Sequence, residues 1–231
     1  MTTSSRPIGE RALGRGLVIA IDGPSGSGKS TVARTVAADI SASYLDTGAM
    51  YRALTWSLLH RRIDVTDHAR VASHARECAL DIDTAPYAPR FAVGGVDVTQ
   101  QIRGVDVTSA VSEVAANPEV RSVLIASQRH LIAQARESGK GMVAEGRDIT
   151  TVVAPDADVR ILITASAEER ERRRRAEAGE ASAASMARRD ARDSQVNDFI
   201  TPSEGVTLID TTQMTLPEVV NAVLALIDER V

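Results

Sequence analysis

Residues Gly23-Pro24-Ser25-Gly26-Ser27-Gly28-Lys29-Ser30 constrain this chain more than any other stretch. They match G-x-x-x-x-G-K-[ST], and their setting makes the match credible. The preceding run Leu17-Val18-Ile19-Ala20-Ile21 is continuously apolar, as suits a strand buried on both faces of a parallel sheet. Beyond the motif, Val32, Val36 and Ile40 recur at helical spacing, with Ala33 and Ala37 beside them. Strand, glycine-rich turn and amphipathic helix together make a backbone cradle for phosphate. Glycines let amide N–H groups curve round an anion without Cβ clashes, and the helix N-terminus adds its own amides and dipole. Lys29 can reach the β- and γ-phosphates as a point charge, and the Ser30 hydroxyl can help hold Mg²⁺, partly through water. The motif alone leaves GTPase, ATPase and kinase open. No N-K-x-D or T-K-x-D element is present to read guanine, and the chain is short for a mechanical ATPase.

The rest of the chain repeats the strand–helix rhythm, with one interruption. Tyr44-Leu45 reads as a strand running into Asp46-Thr47-Gly48 and a helix from about Ala49, followed by a helix near Asp67–Ala79. Phe91–Val93, Gly94-Gly95 and Val96–Val98 then read as a hairpin about a two-residue turn, implying an inserted subdomain over roughly 80–112. A long helix near Asn117–Arg136 returns the chain to the core. Met142–Glu145, Val159–Ile163 and Val206–Asp210 look like further strands, and Leu216, Val219, Val220, Val223 and Ile227 mark a last helix. Alternating strands and helices imply an α/β fold with a parallel sheet covered on both faces. The expected organisation is a tail over 1–16 and a single domain over 17–231.

Composition removes several function classes. Hydrophobic residues at 43% and charged residues at 25% of 231 are ordinary for a soluble globule, which argues against collagen-like, disordered or membrane-embedded chains. A net charge of −4 argues against a broad nucleic-acid surface, and 3% aromatic residues argue against base-stacking platforms. Cys78 stands alone, so there is no intramolecular disulfide; with no apolar targeting core near the N-terminus, a cytoplasmic location is expected.

Arginine usage is uneven. Of 27 Lys and Arg residues, only Lys29 and Lys140 are lysines. Composition bias accounts for much of this, but not for where the arginines fall. Arg52 follows the second strand and Arg147 follows another, both toward the carboxyl-end crevice that the phosphate loop faces. Each alone reads as a surface residue; together they suggest a second phosphoryl site, because guanidinium clamps phosphate bidentately. Glu145, ending the strand before Arg147, is a candidate for the Mg²⁺ water shell, with a plain strand-end carboxylate as the alternative. In Glu168-Glu-Arg-Glu-Arg-Arg-Arg-Arg175, Glu168–Arg172, Glu169–Arg173 and Glu171–Arg175 are i,i+4 pairs. Arg170 and Arg174 lack such a partner and share a face, so they are expected to meet phosphate, with Arg173 nearby. A small polar loop and a further helix follow, the pattern of a closing lid over 166–195.

These residues resemble a known family. Ile21–Lys29, Leu45–Arg52, Val98–Arg103, Val111–Pro118, Glu145–Asp148 and Arg189–Asp193 together resemble the bacterial cytidylate (CMP) kinases, nucleoside monophosphate kinases, over about Val18 to Ile227. The resemblance implies a P-loop three-layer α/β fold with a central parallel sheet, an inserted antiparallel hairpin subdomain that binds the monophosphate, and a helical lid. It implies transfer of the ATP γ-phosphoryl group to CMP or dCMP, with Mg²⁺, by a monomer that needs neither nucleic acid nor membrane. ATP would lie against Gly23, Pro24, Ser25, Gly26, Ser27, Gly28, Lys29, Ser30, Thr31 and Arg173. Lys29, Arg147, Arg170 and Arg174 would be the catalytic cations. CMP would meet Asp46, Thr47, Arg52 and Arg147, with Ser112, Arg121 and Asp148 at the base and Arg189 and Asp193 at the sugar. The chain departs from the family pattern at Thr47 (usually Ser), Glu145 (often Asp) and Val196 (usually a phosphate arginine). Competing readings are a kinase for another small acceptor, such as UMP, AMP, shikimate or dephospho-coenzyme A, and a nucleotide-binding regulator without transfer activity.

Overall fold

A computed structural model describes residues 14–176 and 201–230. In chain order the first elements are β1 (Val18–Asp22), α1 (Lys29–Asp39), β2 (Ser43–Asp46), α2 (Thr47–His60) and α3 (His68–Glu77). Three short strands follow: β3 (Leu80–Ile82), β4 (Phe91–Val93) and β5 (Val96–Asp97). Next come α4 (Val105–Ala116), α5 (Pro118–Glu137), β6 (Met142–Gly146), a π-helical turn (Ile149–Val153) and β7 (Val159–Thr164). The last are helical residues 167–176, called α6, then β8 (Thr207–Asp210) and α7 (Leu216–Asp228).

Five strands form one parallel sheet in the order β2-β6-β1-β7-β8, and β3-β4-β5 form a separate antiparallel sheet. Every residue of β1 is buried, as its unbroken apolar run predicts for a central strand with both faces covered. Its side chains alternate between two cores. Ile19 and Ile21 join Val143, Ile161 and Ile163 beneath Val32 and Val36 of α1 and Val219, Val223 and Ile227 of α7. Val18 and Ala20 face the other way, with Leu45, Met142 and Ala144, against Met50, Leu54 and Leu58 of α2, Val71 of α3 and Leu124 of α5. A third, smaller core lies under the antiparallel sheet, where Ala49 and Ala53 of α2 let Phe91, Val98 and Ile102 come close.

The hairpin turn is as read. Gly94 and Gly95 both take positive φ, 55° and 81°, which a tight two-residue connection requires. Three details differ from expectation. The sheet has a third strand, β3, pairing Leu80 with Val93 and Ile82 with Phe91. Helix α2 starts at Thr47 rather than near Ala49, because the Asp46 side chain accepts from Ala49 N at 2.9 Å and caps it. Helix α4 takes up the end of the segment read only as an insert, and Val111 and Val114 carry it into the second core.

Parallel register fixes what meets at the carboxyl edge. Ile21 pairs with Glu145, Asp22 with Gly146, and Asp46 with Glu145. The ends of β1, β2 and β6 therefore deliver the phosphate loop, the start of α2 and the Glu145–Asp148 segment to one place.

Candidate active site

The phosphate loop keeps its glycines for two physical reasons, backbone conformation and close approach of neighbouring main chain. At Gly23, φ is 154° and a Cβ would lie 2.1 Å from the Ile163 carbonyl oxygen. At Gly26, φ is 77° and a Cβ would lie 2.6 Å from the Arg170 carbonyl oxygen. At Gly28, φ is 88° but nothing crowds the position, so only backbone conformation demands glycine there. Within the loop, Ser27 N donates to the Pro24 carbonyl at 3.4 Å. No described side chain caps α1, whereas α2, α3 and α5 are capped by Asp46, Asp67 and Asn117. The N-cap of α1 is Gly28, so its first amides receive no side-chain cap.

Glu145 gathers the loop's functional groups. Its side chain is buried, and Oε1 accepts from the Ser30 hydroxyl at 2.6 Å and the Tyr44 hydroxyl at 3.1 Å. Lys29 Nζ lies 3.7 Å from Oε2. Desolvation pushes the Glu145 carboxyl above its ordinary range, and the nearby Lys29 charge opposes that rise. Two hydroxyls and an ammonium thus converge on one buried carboxylate.

On the opposite side, Arg121 of α5 and Asp148 form an ion pair with Nη2 to Oδ2 at 2.6 Å, both largely buried. Ser112 is buried on α4. Arg52 projects from α2 and donates through Nη1 to the Ile102 carbonyl at 3.1 Å and the Thr108 hydroxyl at 2.9 Å, which ties it to the region beside the antiparallel sheet. Arg147 is half-buried directly after β6. Asp46 and Thr47, expected at CMP, stand at the start of α2. Asp46 is the α2 cap, and Thr47 is buried with its hydroxyl donating to the Glu145 carbonyl at 2.9 Å. Both hold the corner between β2, α2 and β6. Gly146 completes that corner, since a Cβ there would meet Thr47 Oγ1 at 2.4 Å.

Helix α6 packs its arginines on the phosphate loop. Arg170 donates from Nη1 to the Ser25 carbonyl at 3.4 Å, and buried Arg174 brings its Cγ against Gly26. Arg173, expected beside ATP, braces the loop. Its Nε donates to Glu169, its Nη1 to the Ser27 carbonyl and the Thr211 hydroxyl, and its Nη2 to the Thr211 carbonyl at 2.8 Å. The expected Glu168–Arg172 pair is replaced by a bidentate Arg172–Glu169 pair, at 2.8 and 2.7 Å, while Glu169–Arg173 and Glu171–Arg175 form. Glu169 sits between the two arginines and serves both, which holds its carboxyl down at about 2. Arg189, Asp193 and Val196, and most of the expected lid, lie outside the described residues.

Sequence reasoning missed three groups that hold these parts in place. Thr211, after β8, donates its hydroxyl toward the Ser27 and Thr164 carbonyls at 3.2 and 3.0 Å. Tyr44 supports Glu145. Asp22 accepts three hydrogen bonds from the turn after Asp148. Nothing local announces them, because their partners are 47 to 184 residues away.

Among the described residues no helix is long and apolar enough to cross a membrane. A sequence profile of the family described as Cytidylate kinase matches residues 19–229. Similar proteins named cytidylate kinase include one from Streptomyces avermitilis, 42% identical over 219 residues, covering 93% of this chain and 94% of that protein. Another, from Nocardia farcinica, is 43% identical over 224 residues, covering 93% and 95%. A third, from Cutibacterium acnes, is 46% identical over 217 residues, covering 91% and 96%.

Proposed function

The chain belongs to the cytidylate kinase family, and on that premise we propose how its own residues divide the work of the reaction. The enzyme is a phosphotransferase that phosphorylates CMP with ATP, giving CDP and ADP. The observation that carries the assignment of residues is the meeting of two differently built regions at the carboxyl edge of β1 and β6. One is the uncapped phosphate loop with Lys29, Ser30 and Glu145; the other is the buried Arg121–Asp148 pair.

The ATP phosphates lie on the amides of residues 23–31, with Lys29 toward the β- and γ-phosphates. A CMP phosphate oxygen, already anionic, attacks the γ-phosphorus in line, so the protein supplies position and positive charge rather than a nucleophile. Arg52 and Arg147 hold the CMP phosphate, and Arg170 and Arg174 approach the transferred group from α6. Cytosine presents a 4-amino donor beside an acceptor edge; Asp148 and Ser112 suit the first and Arg121 the second. Uracil would turn an acceptor toward Asp148, a mismatch that buried polar groups punish heavily. The phosphate and base contacts do not involve the 2′-hydroxyl, so dCMP is taken as an acceptor alongside CMP, with the sugar left to Arg189 and Asp193.

The donor set fits Mg²⁺. Ser30 Oγ and the Glu145 carboxylate are hard oxygen donors 2.6 Å apart. Mg²⁺ keeps several waters and is bound through one or two protein oxygens plus substrate phosphates. When bound, Mg²⁺ neutralises phosphate charge. Ser30 would hold it directly or through water, with Glu145 orienting Ser30 and the water shell. The enzyme works as a cytoplasmic monomer; the single Cys78 supports a reducing compartment.

A coupled ADP-release assay tests the reading. ADP formation should require CMP or dCMP and be far slower with UMP or AMP. ADP release independent of CMP, or UMP preferred over CMP, would overturn it.

A further inference from the structure

We propose that Asp22 is a positioning residue for the acceptor nucleotide, its buried carboxylate anchoring the turn that carries Arg147 and Asp148 beside the phosphate loop. The proposal rests on the assignment of those two residues to CMP.

Asp22 is the last residue of β1, and Gly23 of the phosphate loop is its neighbour in the chain. It is 3% exposed. Its Oδ1 accepts from Ile149 N at 2.9 Å, and its Oδ2 accepts from Thr150 N at 2.8 Å and the Thr150 hydroxyl at 2.6 Å. Those donors belong to the two residues directly after Asp148. The segment is a wide turn in which the Asp148 carbonyl accepts from both Val152 N and Val153 N, at 2.9 and 3.1 Å. Its carbonyl end is also tied. Arg129 donates to the Val152 and Val153 carbonyls at 2.6 and 3.2 Å, and Arg160 to the Thr150 carbonyl at 3.4 Å.

A carboxylate at the amide end and guanidinium groups at the carbonyl end match the dipole of the turn. Wide turns of this kind concentrate at functional sites, where a side chain must be aimed. Burying a carboxylate is costly, so three convergent donors mark a place where the geometry of the turn matters. Asp22 therefore connects, through one residue in each direction, the loop that takes ATP and the pair that reads the base.

Asp22→Asn, Thr150→Val and Thr150→Ser in the full chain test this. Steady-state kinetics would vary CMP at saturating ATP, then ATP at saturating CMP, with melting curves as fold controls. Asp22→Asn places an amide among donors and should lower kcat/KM for CMP about tenfold to hundredfold, the scale of losing one or two hydrogen bonds to a charged group. KM for ATP should stay within about twofold. Thr150→Val should raise KM for CMP about fivefold to tenfold, and Thr150→Ser should restore it, since the hydroxyl is kept. The ratio of CMP to UMP turnover should fall in both damaging variants. If Asp22→Asn does not fold, the Thr150 pair still decides the matter. Equal losses toward CMP and ATP, or folded Thr150→Val with wild-type KM for CMP, would overturn the proposal while wild-type ADP release still depends on CMP. Wild-type ADP release that ignores CMP would instead overturn the site assignment, and this proposal with it.

Discussion

Replacing Lys29 by Met separates a charge needed for transfer from the same charge needed for packing. Lys29 Nζ lies 3.7 Å from Glu145 Oε2, with the side chains 14% and 4% exposed. At an effective dielectric of about 20, unit charges that close attract by about 4 kcal/mol. Removing one member of a buried pair costs about 3–5 kcal/mol, because the other charge is left uncompensated. Part of that loss is recovered when Glu145, already pushed up by burial, takes a proton. Without Lys29 its folded pKa rises further above the unfolded value. The folded state then holds a proton that the unfolded state releases, so the deficit is smallest below the unfolded pKa. It grows as pH climbs through the folded value. Thermal melts should show Lys29→Met below wild type, with a gap that widens from the acid range to neutrality. Adding Glu145→Gln removes the stranded charge and should restore most of the melting temperature. It should not restore turnover. Loss of one donor aimed at developing charge lowers kcat by about 100-fold or more. Recovery of kcat along with stability in the double variant, or a Lys29→Met melt that tracks wild type at every pH, would refute this reasoning.

Other perturbations probe separate parts. Arg52→Ala should raise KM for CMP about tenfold or more while leaving KM for ATP within about twofold; equal changes in both would point to misfolding. Gly23→Ala should abolish activity and lower the melting temperature, because its Cβ would sit 2.1 Å from a main-chain carbonyl of β7. Wild-type activity there would mean the loop is not held as described. Val196→Arg introduces the arginine that the family resemblance leads one to expect and should leave kcat/KM for CMP unchanged or better; a fold failure, or a drop of about tenfold or more, about 1.4 kcal/mol, would refute that expectation.

What was legible in the sequence follows from how local each signal is. The run Leu17–Ile21, the loop glycines and the spacing of Val32 and Val36 all speak about adjacent residues, and β1, the loop and α1 stand where they imply. Gly94-Gly95 announced its hairpin for the same reason. Helix α4 was hidden because Val105, Val107, Thr108, Val111 and Val114 are poor helix formers, and Gly104 gives no side-chain cap. Burial of Val107, Val111 and Val114 decides its conformation, and burial is a property of the folded chain. The family resemblance implies substrate contacts for Arg173 and Asp46. Their structural partners, Thr211 on a distant strand end and the main chain of α2, could not be read from composition or spacing. Nothing local marks Asp22, whose partners lie 127 and 128 residues away.

The division of the core between two faces has a consequence for the order in which the enzyme is made. The face beneath α2, α3 and α5 is assembled from residues up to Ala157, so it can close while the remainder is still being synthesised. The face behind α1 cannot. It needs Val219, Val220, Val223 and Ile227 from the final helix. Thr211, which steadies Ser27, also arrives in that last stretch. A ribosome-bound chain stalled before β8 would therefore carry an acceptor side near its final form and a phosphate loop whose supporting helix is still uncovered. The core that backs the phosphate loop is thus closed only after α7 has been made.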